Sequence, residues 1–327
     1  MAPKLTMVEA INLALRQEME RDDQVVLLGE DIGVNEGVFR VTAGLHKTFG
    51  AERVIDTPLA ESGIVGTAIG MALAGLRPVA EIQFAGFVFL GFGQLEGHAA
   101  RYRSRTLGQW TVPLVLRMPY GAGVRAHEHH SESREATLAG VPGLKVVIPS
   151  GPRSARALLA AAIRDPDPVI FMEPTQLYRA FREEVPEEPE LGVIGRAHVE
   201  RTGSDLTLVS WGAMMLPSRR AADALARDQG VQVELIDVQS VAPLDAATIL
   251  ESVSRTGRCV IVQEAARSFS LASEIVARIN DQVLLQLEAP VQRVTGYDVV
   301  TPFFQRERLY MPNEARIIAA VGQALAD

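Results

Sequence analysis

Residues 53–84 read RVIDTPLAESGIVGTAIGMALAGLRPVAEIQF. A short apolar run at 53–55 and a second at 79–84 read as strands. Between them residues 62–74 are rich in Gly and Ala, the composition of a helix packed closely on its neighbours. Strand, helix, strand is the unit of a parallel sheet with helices on its faces. The longest apolar region, 63–92, contains this unit. Arg77, Pro78 and Glu81 interrupt it, so it predicts a buried helix and strand, with no membrane span.

The same alternation extends in both directions. Thr6 followed by Glu9 is a capping box and predicts a helix over 8–19. Residues 25–28, 112–116, 145–148 and 168–172 predict strands, with a helix over 152–164 before the last. Residues 182–191, REEVPEEPEL, are acidic, hold two prolines and lack periodicity. A second alternation follows: strand 206–210, helix 214–227 closed by Gly230, strand 232–236, helix 246–254, strand 259–263, and a last helix capped by Asn313. The expectation is α/β, two doubly wound domains: 1–185, a linker over 186–200, and 201–327. Ligands of such sheets lie beyond the carboxyl ends of the strands.

Length and charge narrow the function classes. A chain of 327 residues suits two domains. Its net charge of −8 argues against a phosphate-backbone partner, so no nucleic acid is expected. The single Cys259, in the apolar run 258–262, excludes an internal disulfide and reads as a small buried hydrophobe. The N-terminus carries no apolar signal core, and a cytoplasmic protein without membrane attachment is expected.

Gly121-Ala122-Gly123-Val124-Arg125-Ala126 matches a dinucleotide loop in letters only. Such a loop should run straight into a helix, but His127-Glu128-His129-His130 follows. Phosphate-loop signatures are absent, as is a Gly-Asp-Gly followed by a distant Asn, the set that ties a diphosphate to a divalent metal. The three histidines are poorly spaced for zinc and lack a nearby cysteine. A solvated loop and a proton-moving imidazole at a strand end both remain open readings. Glu61, taken alone, is a first-turn glutamate favoured by the helix dipole. Walls of Leu59, Ile64 and Val65 would desolvate its carboxyl and push its pKa up, which suits proton exchange. Phe87, just past a strand end, is either core filler or a stacking face for a flat ring.

With these residues in view, the chain resembles a known family. LLGEDIGVNEGVFRVTAGL (27–45), RVIDTPLAESGIVGTAIGMALAGLRPVAEIQFAGF (53–87), VPGLKVVIPS (141–150), AAIRDPDPVIF (161–171) and LEAPVQRVTGYD (287–298) resemble the β subunit of thiamine-diphosphate-dependent 2-oxo acid dehydrogenases. The resemblance runs in order over essentially the whole chain. It implies a thiamine-diphosphate pyrimidine-binding domain and a transketolase-like C-terminal domain. An α subunit would supply the magnesium and diphosphate site, which accounts for the missing Gly-Asp-Gly. It further implies that Glu61 holds the aminopyrimidine N1′, that Phe87 stacks on that ring, and that Leu59 lies against the cofactor.

The family's active-site histidine precedes a serine and matches His130-Ser131, which favours His130 over His127 and His129. Glu132 stands where Gln is usual, and Glu128 where many members carry His. A structural potassium site, mainly backbone carbonyls, matches Leu114, Ala162, Ile163, Asp165 and Asp167. The implied partners are an α subunit in an α2β2 heterotetramer, a lipoyl-bearing acyltransferase core and a 2-oxo acid. EIQFAGFVF (81–89), QLYRAFREEVPEE (176–188) and INDQVLLQLEAP (279–290) look most like pyruvate-type bacterial β subunits. The alternatives are a branched-chain 2-oxo acid dehydrogenase β subunit and a transketolase-like half-enzyme. A non-catalytic scaffold of the same fold would not need Glu61 and a histidine near 130.

Overall fold

In the computed structural model, residues 2–302 and 304–326 are described. Among them a seven-stranded sheet runs in the order Ser240–Ala242, Lys145–Val147, Val169–Pro174, Val115–Tyr120, Arg77–Glu81, Val25–Gly29, Val54–Asp56. Its pairs are parallel except that Ser240–Ala242 runs antiparallel to Lys145–Val147. Strands covered on both faces read as continuous apolar runs rather than alternating ones. Val25–Gly29, VVLLG, is such a strand and is buried throughout. The helix Met7–Arg21 starts at the expected capping box: Thr6 N–H donates to Glu9 Oε2 at 2.7 Å, and Glu9 N–H donates to Thr6 Oγ1 at 3.4 Å. It packs on Pro152–Arg164 across one sheet face, while Glu61–Leu73 lies against Arg77–Glu81.

The second sheet, among the described residues, has the order Gln292–Val294, Cys259–Val262, Leu206–Ser210, Val233–Asp237, His198–Arg201. It is parallel apart from His198–Arg201 at one edge. Cys259 is fully buried, as its apolar run predicts. Met215–Gln229 ends at Gly230 with φ of 71°, the left-handed closure expected from sequence.

Three differences from the sequence expectations stand out. The predicted strand at 112–116 is displaced to Val115–Tyr120, because its ladder partners at Val79 and Val169 begin opposite Val115. The acidic segment is partly ordered: Glu183–Glu184 pairs with Lys4–Leu5, and His198–Arg201 already belongs to the second sheet. Third, Ser240–Ala242 lies within the stretch expected as the second domain but completes the edge of the first sheet. Among the described residues no helix is long and apolar enough to cross a membrane.

The order in which strands join the first sheet reverses between Val25–Gly29 and Arg77–Glu81, which are themselves parallel. The chain adds Val54–Asp56 on one side and then returns to the other. A crevice opens at such a switch point. Beneath it three strand ends are locked by a buried guanidinium. Arg117 Nε and Nη2 donate to Glu173 at 2.8 and 2.9 Å, its Nη1 donates to Glu81, and the Tyr178 hydroxyl donates to Glu173 at 2.5 Å.

Candidate active site

Loops from four strand ends meet at the crevice. The Asp56 carboxylate, at the end of Val54–Asp56, accepts the N–H groups of Gly33 at 2.6 Å and Val34 at 3.0 Å. That pairing pins the loop following Val25–Gly29 across the switch point. Five residues after Asp56 comes Glu61, the first residue of Glu61–Leu73. It is 8% exposed. Ile64 and Val65, one turn on, are buried, whereas Leu59 is 70% exposed. The apolar wall expected around Glu61 therefore lacks Leu59 in this chain. Proline at position 58 breaks the backbone there, and Leu59 projects outward before the helix starts.

Among the described residues no hydrogen-bond donor of this chain reaches the Glu61 carboxylate. Its electrostatic neighbour is another acid. Burial, then the negative charges of Asp31 and Glu61, hold the Glu30 carboxyl above the usual carboxylate range. A carboxylate that its own chain supplies with no donor is open to one brought from outside.

Phe87 lies in the 3₁₀ turn Ala85–Leu90, beyond Arg77–Glu81. Its ring meets the His129 and His130 rings edge-on, with centroids 5.0 and 5.4 Å apart. His130 also packs on Phe84 at 4.3 Å, and Phe84 on Phe39 at 5.6 Å. Phe39 in turn meets Tyr178 at 5.0 Å, so an aromatic line joins the imidazole to the buried Arg117 network. The close approach of the two loops requires glycine: a Cβ on Gly86 would lie 2.1 Å from the His129 carbonyl oxygen.

His129 and His130 fall on one short turn, Glu128–His130, and His127 immediately precedes it. Only His130 is drawn inward; His127 and His129 are exposed. Burial, and then the imidazoles of His127 and His129, hold His130 below the usual histidine range, against the opposing pull of Glu128. Its ring is thus neutral at neutral pH, with one nitrogen free to accept. The buried His130 Nδ1 has no hydrogen-bond partner within the described residues. Glu132, where the sequence departs from the expected pattern, is paired with Arg134 at 2.5 Å, and Arg134 in turn lies over the Phe89 ring.

Among the described residues no group of three or more His, Cys, Asp or Glu side chains could hold a metal ion. The oxygens matched to a potassium site are each engaged by a donor of the chain. Val169 N–H donates to the Leu114 carbonyl at 2.9 Å and Asp165 N–H to that of Ala162 at 3.2 Å. Arg77 Nη1 donates to the Ile163 carbonyl at 2.9 Å and, weakly, to that of Asp165 at 3.4 Å. Lys145 bridges the Asp165 and Asp167 carboxylates at 2.7 and 3.5 Å. Oxygen donors of this kind suit a hard cation, and each carbonyl keeps a second lone pair.

Sequence reasoning missed Glu30 and the Arg117–Glu81–Glu173 cluster. A signal for the cluster existed: a charged residue within or at the end of each of three apolar strands, Glu81 in RPVAE, Arg117 in VLRMPY and Glu173 in VIFMEP, all on adjacent strands.

Two family descriptions match the chain: "Transketolase, pyrimidine binding domain" over residues 3–180, and "Transketolase, C-terminal domain" over residues 195–317. "Pyruvate dehydrogenase E1 component subunit beta" of Acholeplasma laidlawii is 49% identical over 317 residues, covering 97% of each chain. The protein of that name from Bacillus subtilis is 49% identical over 322 residues, 98% of this chain and 99% of its own. That of Staphylococcus epidermidis is 50% identical over 315 residues, 96% and 97% respectively. A solved structure titled "Split gene transketolase, inactive beta4 tetramer" superposes with a TM-score of 0.79 over 99% of both chains at 22% identity, a likeness of fold.

Proposed function

The chain belongs to the family of pyruvate dehydrogenase E1 component β subunits, and from that premise we propose that Glu61, Phe87 and His130 form its half of a shared thiamine-diphosphate site. With an α subunit the protein decarboxylates pyruvate and passes the acetyl group to lipoyl groups of an acyltransferase. The relatives' names favour pyruvate over the branched-chain and transketolase-like alternatives.

One observation carries the assignment of Glu61: a carboxylate 8% exposed that receives no hydrogen bond from the described residues of its own chain. A ring nitrogen able to share a proton satisfies it. Bound thiamine diphosphate supplies the carbon nucleophile and the electron sink that a 2-oxo acid requires to lose carbon dioxide. Glu61 holds a proton against the pyrimidine ring nitrogen, and the low polarity around it strengthens that interaction. Phe87 offers its ring as the stacking surface, with Leu59 near the mouth. Neutral His130, propped by Phe84 and Phe87, presents a nitrogen acceptor where the acyl group would meet a lipoyl thiol.

The magnesium and diphosphate ligands come from the α subunit of an α2β2 heterotetramer, since this sequence lacks them. A structural potassium on the Leu114, Ala162, Ile163, Asp165 and Asp167 oxygens, and a cytoplasmic location, belong to the same proposal. The test is co-expression with an α chain and assay of pyruvate against 3-methyl-2-oxobutanoate. Preference for pyruvate supports the reading, and preference for the branched substrate overturns its substrate.

A further inference from the structure

The loop that carries the histidines is held from the second domain. Glu264, two residues past Cys259–Val262, accepts the Ala122 N–H at 2.9 Å and the Ser133 hydroxyl at 2.8 Å. Glu307, which begins the short helix Glu307–Tyr310, accepts the N–H groups of Gly123 at 2.9 Å and Arg125 at 3.1 Å. Both acids are buried, at 4% and 3% exposure. Among the described residues neither has a cationic partner. Two buried carboxylates without cations are costly unless every lone pair finds a good donor. Here the donors are the loop itself, through charge-assisted bonds of the stronger kind. The fit leaves no slack: Gly121 has φ of +88°, and a Cβ on it would lie 2.6 Å from Glu264 Oε1.

The bonded positions 122, 123, 125 and 133 bracket His127, His129 and His130. We propose that Glu264 and Glu307 are positioning residues for acyl transfer: they clamp both ends of the histidine loop and hold His130 across Phe87. The proposal rests on the reading of His130 as the imidazole of the lipoyl step.

The clamp is also sensitive to pH. Burial pushes the Glu264 carboxyl up to about 7, against the Ser133 and Ala122 donors, and the charges of Glu135 and Glu307 add to the rise. The groups facing it are Glu135 and Glu307, the hydroxyls of Tyr120 and Tyr310, and Ser133. Below about pH 7 the carboxylate takes a proton and becomes the weaker acceptor, so the loop loosens on the acid side.

The test uses the α2β2 holoenzyme. Acetylation of a lipoyl domain is compared with decarboxylation read by an artificial electron acceptor, and amide hydrogen exchange is followed at Ala122, Gly123 and Arg125. Glu307→Gln is expected to lower the ratio of the two activities at least about 10-fold, toward the roughly 10²-fold that a 1 Å misplacement costs. The Gly123 and Arg125 amides should then exchange faster, and Glu307→Asp should recover part of both effects. Glu264→Gln is expected to flatten the acid limb of the ratio between about pH 6 and 8. If the Glu307 variants fail to fold, Ser133→Ala removes a single donor and should lower the ratio in the same direction. Unchanged exchange together with an unchanged ratio in these variants overturns the clamp. His130→Ala separates the premise: a wild-type ratio in that variant refutes the role of His130, whereas a fall there without one in the glutamate variants refutes the clamp.

Discussion

Glu61 is 8% exposed and takes no hydrogen bond from the described residues of its own chain, and its charge adds to the burial and the Asp31 charge that hold the neighbouring Glu30 carboxyl up. Removing the charge while keeping the shape should therefore separate chemistry from folding. Glu61→Gln is expected to lower decarboxylation by about 10²- to 10⁴-fold, the usual range for losing a proton-transfer group. Size-exclusion chromatography should show the heterotetramer intact, and turnover at the wild-type rate would remove Glu61 from the proposed site. At this scale the local sequence leaves Glu61 a helix-start carboxylate and Phe87 either core filler or a stacking face, and only the family resemblance singles out Glu61, Phe87 and His130 together. Glu264 and Glu307 are marked by neither. Their partners are backbone N–H groups, which leave no mark in the sequence, and they lie 142 and 184 positions from Ala122 and Gly123.

Elements whose ends carry capping chemistry were read closely. The Thr6 box, Pro152 at a helix start and Gly230 at a helix end each fix a boundary through local hydrogen bonds or dihedral limits. Strand ends were less legible, because a ladder starts where its partner does, as the displacement to Val115–Tyr120 shows. Two changes test these ideas. Thr6→Ala should destabilise the chain by about 1 kcal/mol, seen as a lower Tm, through loss of the helix cap. Gly86→Ala forces a methyl against the His129 carbonyl oxygen, 2.1 Å away. It should separate the Phe87 turn from the histidine turn and weaken cofactor binding by the holoenzyme far more than it lowers Tm. Equal effects on both would argue that Gly86 serves folding alone.

For the whole molecule, the proposed function gives the chain on its own half a site. Calorimetry with thiamine diphosphate and magnesium should show at most weak binding to the isolated chain and tight binding once the α subunit is present. Tight binding to the chain alone would sink the split-site reading. The junction between domains also titrates. Asp237, at the end of a second-sheet strand, accepts the hydroxyl of Ser150 from the first domain at 2.5 Å, and burial raises its carboxyl from 3.8 to about 6. The folded state therefore keeps a proton that the unfolded chain releases, so stability falls as pH rises from about 4 to about 6. In Asp237→Asn this slope should become shallower in a series of Tm values against pH, the remainder coming from other raised carboxyls such as Glu264.

The short strand Ser240–Ala242 bears on how the protein is made. Synthesis proceeds from the N-terminus, so the first domain is complete in sequence before its border strand exists. Until residue 242 has been translated, Lys145–Val147 presents unpaired backbone groups to any other nascent chain, the template from which wrong pairings start. Lys145, held by Asp165, stands on that bare border as its charged guard.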